Sequence, residues 1–223
     1  MKRNLVLLCW LSFLPLNAQI QKAVTESGKE VVLLDDRTWR FVHESDSTAL
    51  ETIVQNKAEF TRDAKATSSV QSANLNVAVY HDPKKWKTAA SGLQNIEYLF
   101  IGPDHIFATL TADRSRIPNL RIVKDVVISN VRQATDYFRL KESEYRTVNG
   151  RRMLYLRYIA NLKGLDFEYA GYYFINDSGF AMVVAYTMQQ DFEAKFPEIQ
   201  KFLNGFTEIS YQPPPPPMTA PKL

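Results

Sequence analysis

Two histidine–aspartate pairs are the residues in this sequence best suited to chemistry. His81-Asp82 and Asp104-His105 each lie beside a proline, in segments that read as turns. Imidazole and carboxylate groups together can ligate a metal ion, or form a base with its orienting acid. If the two turns meet at one end of a sheet, these four residues would form a small metal-binding or acid–base site. The alternative is an ordinary structural role, because Asp is common in turns for conformational reasons.

No recognised catalytic motif accompanies these pairs. The sequence contains no His-Glu-x-x-His helix, no glycine-rich phosphate loop and no Gly-x-Ser-x-Gly nucleophile turn. We therefore expect neither enzymatic activity nor a cofactor. The alternative is a hydrolase, or a small-ligand or metal-binding protein, with its site near His81 and His105.

A basic stretch is the second feature that could bind something. Residues 105–163 contain 12 Lys and Arg residues against five Asp and Glu residues. Such a face could bind an acidic protein, anionic lipid headgroups or an acidic glycan, and its binding would weaken with rising salt. The alternative is a solvated surface. The candidate residues are Arg114, Arg116, Arg121, Lys124, Arg132 and Arg139.

The N-terminus has the pattern of a secretory signal peptide over residues 1–18. Lys2 and Arg3 precede a short apolar run, and the small residue Ala18 stands at the expected cleavage point. The run is too short to span a bilayer and no second one follows, so no transmembrane segment is predicted. Cleavage would leave 25 Lys and Arg residues against 24 Asp and Glu residues, which does not favour nucleic-acid binding. It would also remove Cys9, the only cysteine. We expect an exported protein, periplasmic or extracellular.

Composition divides the remaining chain into four segments. Residues 19–42 alternate short apolar runs with turn signals and predict a small β meander. Residues 43–74 are polar and predict a linker with at most a short helix. Residues 75–210 carry the periodicity of a folded domain. Residues 211–223 form a Pro-rich tail, either a polyproline II spacer or a ligand for an aromatic groove.

Two changes of periodicity place helices within the folded domain. Apolar residues spaced by three or four positions predict one helix over 118–140. A similar pattern predicts a closing helix capped by Asp191. Strands are predicted at 76–80, 97–101, 106–111, 144–148, 151–160, 166–175 and 180–187. Asn149-Gly150 is a strong hairpin signal between two of them.

The hairpin at 166–187 determines the predicted fold class. Phe167, Tyr169 and Tyr173 alternate with Ala170, Tyr172 and Phe174, so both faces of this strand are apolar. A sheet with two apolar faces needs a covering layer on each side. We predict an α+β fold with a central, mainly antiparallel sheet of about seven strands, covered on both faces by layers that include a long helix and a C-terminal helix. These aromatic residues are interpreted as core, and functional residues are expected at the turns and on the basic stretch.

The order of elements resembles the PsbP-like fold, named after an extrinsic protein of photosystem II. The residues that carry the resemblance are Val79-Tyr80-His81-Asp82-Pro83, Trp86, Gly171-Tyr172-Tyr173-Phe174, Val183 to Thr187, Phe192 and Phe202. Residues 28–41 also resemble a short run found after the signal peptides of secreted bacterial proteins. These resemblances imply a non-catalytic binding or assembly module of the cell envelope, with an unknown protein or an anionic surface as its partner.

Overall fold

The computed structural model describes residues 21–25, 30–33, 37–41, 49–93, 95–135 and 137–210. The predicted signal peptide at 1–18 and the Pro-rich tail at 211–223 lie outside these ranges. Parts of the predicted meander and linker lie outside them as well.

Fourteen strands and two complete α-helices are present in the described part of the chain, and residues 49–51 are also helical. The first seven strands are β1 (Gln21–Val24), β2 (Glu30–Leu33), β3 (Trp39–Phe41), β4 (Val54–Phe60), β5 (Ser68–Gln71), β6 (Val77–His81) and β7 (Lys87–Ala90). The others are β8 (Tyr98–Ile101), β9 (Phe107–Asp113), β10 (Tyr137–Val148), β11 (Arg151–Leu162), β12 (Leu165–Asn176), β13 (Gly179–Met188) and β14 (Phe206–Glu208). The helices are α1 (Leu120–Ala134) and α2 (Gln189–Leu203), and a 3₁₀ turn spans Pro103–His105.

The main sheet has eight strands in the order β4-β10-β11-β12-β13-β9-β8-β7. Only the β4–β10 pair is parallel, so the prediction of a mainly antiparallel α+β fold is confirmed. Two three-stranded sheets accompany it, β1-β2-β3 and β14-β6-β5. None of the described helices combines the length and the apolar character that crossing a membrane requires.

The β12–β13 hairpin lies near the middle of the main sheet and has packing on both faces, as predicted. On one face, Tyr172 and Phe174 pack with α2 and with strands β6 and β14. On the other face, Tyr173 and Val184 pack with α1. The first face is referred to below as the α2 face and the second as the α1 face.

The helix predicted at 118–140 is shorter at both ends. Asn119 caps α1 through a hydrogen bond that its side chain accepts from the backbone N–H of Ile122. After Ala134 the chain turns extended at Thr135, and β10 begins at Tyr137. Phe138 points inward from a strand rather than from a helix. The prediction was too long because an apolar residue at this position fits both patterns.

The closing helix begins before the predicted cap. Strand β13 runs directly into α2, with Met188 in the N-cap position and no side-chain cap. Asp191 lies in the first turn, where its carboxylate accepts a hydrogen bond from Lys195 Nζ at 3.1 Å. An acidic residue in the first turn still stabilises the helix dipole.

The segment predicted as a polar linker, 43–74, instead contains strands β4 and β5. Strand β4 pairs with β10 at one edge of the main sheet, where Asn56 Nδ2 donates to the carboxylate of Glu144 at 2.9 Å. Val54 in β4 is 49% exposed. Backbone pairing holds an edge strand in place without an apolar alternation, so the polar sequence gave no strand signal.

Replacing Phe174 by Ala should strongly destabilise the protein. Its ring is 5% exposed and packs edge-to-face on Phe206. Removing it should lower the free energy of unfolding by about 3–5 kcal/mol, measured by urea denaturation. Leu165→Ala, at a residue that is 52% exposed, is the control and should change it by less than about 0.5 kcal/mol. A loss below about 1 kcal/mol for Phe174→Ala would contradict the buried α2 face.

Candidate functional site

A cleft lies on the α1 face of the main sheet. Its volume is about 540 Å³. Helix α1 forms one wall, and strands β9, β12 and β13 form most of the floor. The residues of the helix wall are Val123, Val126, Val127, Asn130 and Val131, and the residues of the floor are Thr109, Phe167, Tyr169, Tyr173, Phe180, Met182, Val184 and Tyr186. Ile96, Ile117, Tyr158 and Leu162 complete the lining.

A row of four stacked aromatic rings crosses the sheet at this cleft. Strand register places Tyr158 opposite Tyr169, Tyr169 opposite Tyr186, and Tyr186 opposite Phe107. The successive ring centroids are 5.0, 5.2 and 5.8 Å apart, and the rings are tilted by 11–29°. Stacking at these separations stabilises the pairs beyond the burial of their area. We call Tyr158, Tyr169, Tyr186 and Phe107 the aromatic row.

Among the residues that the structure describes, no charged side chain and no histidine lines the cleft. Its side-chain polar groups are the hydroxyls of Thr109 and the tyrosines and the amide of Asn130. This is notable beside a stretch that is rich in Lys and Arg. The cleft is therefore suited to an uncharged ligand, because a buried charge without a partner is costly.

The rim of the cleft is also apolar. Val126 on α1 and Leu162 at the end of β11 line the cleft and are 43% and 39% exposed. Tyr169 and Tyr186 are only half-buried. A ligand in the cleft would cover apolar surface that is now in contact with water, which favours binding.

The tyrosine hydroxyls of the row remain protonated donors near neutral pH. Burial, and then the neighbouring Tyr186, raises the pKa of Tyr169 to about 12. Burial also raises the pKa of Tyr186. Burial is the main reason why the pKa of Tyr158 is raised, with a contribution from Tyr173. These groups can donate hydrogen bonds but are poor general bases at pH 7.

The two predicted histidine–aspartate pairs are not assembled into one site. His81 is 5% exposed and lines a small hollow with Asp82, whereas Asp104 and His105 are exposed on the 3₁₀ turn. The turns approach each other through Trp86, since a Cβ added to Gly102 would come within 2.8 Å of the Trp86 ring. Within the described ranges, no group of three or more His, Cys, Asp or Glu side chains could hold a metal ion.

The surroundings of His81 explain its burial. Its ring packs edge-on against Phe100, with the centroids 5.8 Å apart, and its Nδ1 atom has no hydrogen-bond partner. Trp86 Nε1 donates to Glu198 at 3.2 Å in the same hollow, whose volume is about 40 Å³. Burial lowers the pKa of His81, while the nearby Val79 backbone and the charge of Asp82 oppose this effect.

Lys124 was predicted to belong to the basic face, but its side chain is buried. This side chain is 2% exposed, and its Nζ atom donates to the backbone carbonyls of Ala49, Leu50 and Thr52 at 2.7–3.1 Å. Lys124 therefore fixes residues 49–52 against α1 instead of facing a partner. Of the other candidates, Arg114, Arg116 and Arg121 are exposed and Arg132 and Arg139 are half-buried. An anionic partner for these five residues stays a prediction.

The sequence interpretation treated the residues of the cleft as core. It correctly placed Tyr169 on the same face of its strand as Tyr173, but it did not predict the strand order that aligns Tyr169 with Tyr186 in a row. A usable signal was present in their chemistry, because buried tyrosine hydroxyls usually find a hydrogen-bond partner. A tyrosine at a position where Phe or Leu could fill the core without a polar group therefore indicates a possible cavity beside its hydroxyl.

Several solved structures are similar to this chain. A cyanobacterial PsbP from Synechocystis shares 12% identity at a TM-score of 0.49, with 66% of this chain and 94% of that chain covered. LpqN of Mycobacterium tuberculosis, involved in cell envelope biogenesis, shares 10% identity at 0.45, with 63% and 88% covered. PA94 of Pseudomonas aeruginosa, of unknown function, shares 10% identity at 0.42, with 66% and 97% covered.

These matches include a PsbP, the family whose fold the sequence resembles. At 10–12% identity they describe a distant likeness in fold, and nothing about function is inferred from them. No family model matches the chain, and no curated protein matches it.

The burial of His81 predicts a pH dependence of stability. Because its pKa is lowered in the folded state, the unfolded chain binds a proton first as the pH falls below about 6.5. Stability is therefore full above that pH and should fall between it and the folded pKa, by at most about 1.4 kcal/mol per pH unit.

Urea denaturation between pH 7.5 and 5.5 measures this effect. The variant His81→Gln should show a flatter profile than the wild type, whereas His105→Gln, at an exposed position, should keep the wild-type profile. Equal pH slopes in the wild type and in His81→Gln would contradict the assignment.

Proposed function

We propose that this protein is an exported, non-catalytic binding module whose ligand is a small apolar molecule held in the cleft on the α1 face. The observation that carries this proposal is an open cleft that combines the aromatic row with a lining free of charged side chains.

The size of the cleft supports a small-molecule ligand. Its volume of about 540 Å³ lies within the range of roughly 300–1,000 Å³ that is typical of ligand pockets. Such pockets are lined mainly by apolar and aromatic side chains with a few polar groups that orient the ligand. Thr109, Asn130 and the tyrosine hydroxyls can fill that orienting role.

Binding without catalysis is favoured by the polar groups that the cleft offers. The side chains of Thr109 and Asn130 do not titrate near neutral pH, and the tyrosines hold their protons. Proton transfer or nucleophilic attack would need a group that ionises or is activated near pH 7. The histidine that is best placed by burial, His81, lines a separate hollow.

Export is proposed from the pattern of residues 1–18, with its basic start and short apolar run. A ligand-binding module in the cell envelope or outside the cell agrees with this pattern. A role in assembly with an envelope protein would rest on the same compartment, and the exposed arginines of the basic stretch would be its contact candidates.

Filling the cleft should abolish binding of an apolar probe. Val127 is half-buried on the helix wall, so Val127→Trp should place an indole in the cleft. Fluorescence titration with the uncharged probe N-phenyl-1-naphthylamine should show saturable binding to the wild type. We expect Val127→Trp to raise Kd at least about tenfold, which corresponds to about 1.4 kcal/mol.

The matched control is Ile122→Trp. Ile122 lies on the same helix, is 38% exposed and does not line the cleft. Its Kd should stay within about twofold of the wild type, well below the tenfold effect expected at Val127. Circular dichroism and thermal unfolding verify that both variants fold. Absence of saturable binding to the wild type, or an equal Kd for both variants, would overturn the proposal.

A further inference from the structure

We propose that the hydroxyls of Tyr169 and Tyr186 together bind the neutral carbonyl oxygen of an acyl ester, whose aliphatic chain lies in the cleft. This inference rests on the proposed function and names the class of ligand. It follows from three observations: the unpaired hydroxyls of Tyr169 and Tyr186, the covered ring faces of the aromatic row, and the absence of charged side chains among the described residues that line the cleft.

The two hydroxyls form a pair of donors on neighbouring strands. Tyr169 and Tyr186 are directly opposite in the β12–β13 register, and their ring centroids are 5.2 Å apart. Both rings line the cleft, so their hydroxyls extend from the same face of the sheet. A carbonyl oxygen has two lone pairs and can accept hydrogen bonds from both.

Neither hydroxyl has a hydrogen-bond partner among the described residues, and neither is a fully buried, unsatisfied atom. Tyr172, which belongs to the α2 face, shows the contrast. Its hydroxyl donates to Asn204 Oδ1 at 2.9 Å and accepts from Gln200 Nε2 at 3.2 Å. The hydroxyl of Tyr172 is thus satisfied within the protein, whereas the hydroxyls of Tyr169 and Tyr186 are left as donors for a ligand.

The ring faces in the middle of the row are already covered. Tyr169 is stacked between Tyr158 and Tyr186, and Tyr186 is stacked between Tyr169 and Phe107. A flat aromatic ligand therefore cannot stack on either ring. The cleft presents ring edges, hydroxyls and the aliphatic side chains of Val127, Met182 and other residues. An aliphatic chain fits this surface better than an aromatic system.

The uncharged lining of the cleft favours binding of an ester over binding of a free acid. A carboxylate held by the two hydroxyls would be buried without a cation, because no Lys, Arg or His of the described ranges lines the cleft. Burying such a charge is costly, whereas an ester carbonyl keeps the two acceptor lone pairs without the charge.

Three probes test this inference in fluorescence titrations at pH 8. The methyl ester of cis-parinaric acid carries the chain and a neutral carbonyl. Free cis-parinaric acid has the same chain with a carboxylate. Diphenylhexatriene is apolar and has no acceptor. The variants are the double substitution Tyr169→Phe/Tyr186→Phe and the control Tyr98→Phe, at a half-buried tyrosine that does not line the cleft.

We expect the wild type to bind the methyl ester at least about tenfold more tightly than the free acid, as the cost of burying an unpaired charge requires. The double variant should raise Kd for the ester about tenfold, the loss of two ordinary hydrogen bonds. The double variant should keep the Kd for diphenylhexatriene within about twofold of the wild-type value, because the apolar surface of the cleft is unchanged. Tyr98→Phe should keep the Kd for each of the three probes within about twofold of the wild-type value.

The outcomes separate the two proposals. If neither diphenylhexatriene nor the methyl ester binds, or if both bind Val127→Trp as well as the wild type, the apolar cleft itself is wrong. A second outcome is that diphenylhexatriene binds the wild type and not Val127→Trp while the double variant keeps its affinity for the ester. That result would overturn the role of the hydroxyl pair and would support the apolar cleft. Equal affinity for the ester and the free acid would overturn the preference for a neutral carbonyl.

Discussion

Strands β12 and β13 are apolar on both faces, and covering those faces is the constraint on which the architecture depends. On the α2 face, helix α2 and the β14-β6-β5 sheet share the task. On the α1 face, α1 is the long helix, and its 15 residues span about 22 Å with a width of about 10 Å. Eight strands spaced by about 4.8 Å extend over about 34 Å. One helix of that width cannot cover the face, and the cleft opens where its cover ends.

The two faces of the sheet also differ in how they use charge. On the α2 face, Arg157 Nε donates to Glu168 at 2.5 Å, its other nitrogens pair with Glu142 and Glu193, and its guanidinium lies against the ring of Phe192. Arg157 and Glu168 are both buried, and removing one partner of a buried ion pair is costly, so these two groups are fixed structural elements. Arg157 belongs to the basic stretch at 105–163, so part of that stretch is buried and has a structural role. The α1 face has no equivalent in its cleft, which keeps that surface available to an uncharged ligand.

Local patterns in the sequence predicted most of the elements, and their failures have specific causes. Asn149-Gly150 and the two-faced hairpin at 166–187 led to the correct strand pairing and the correct fold class. Phe138 suited a helix and a strand equally, so the end of α1 was misplaced. Strands β4 and β5 pair at sheet edges through backbone groups, which leaves no apolar period in their side chains. Lys124 looked like any other cation, because a lysine that donates to backbone carbonyls has no sequence signature.

The cleft was missed for a different reason. The sequence showed that Tyr169 and Tyr173 share a face of their strand, but a core and a binding surface both require apolar side chains there. What distinguishes them is the order of strands, which aligns Tyr158, Tyr169, Tyr186 and Phe107 into one row, and the width of the covering helix. Neither property is local in sequence. The element that organises the fold therefore also carries the candidate site, because the residues that must be covered outnumber those that α1 can reach.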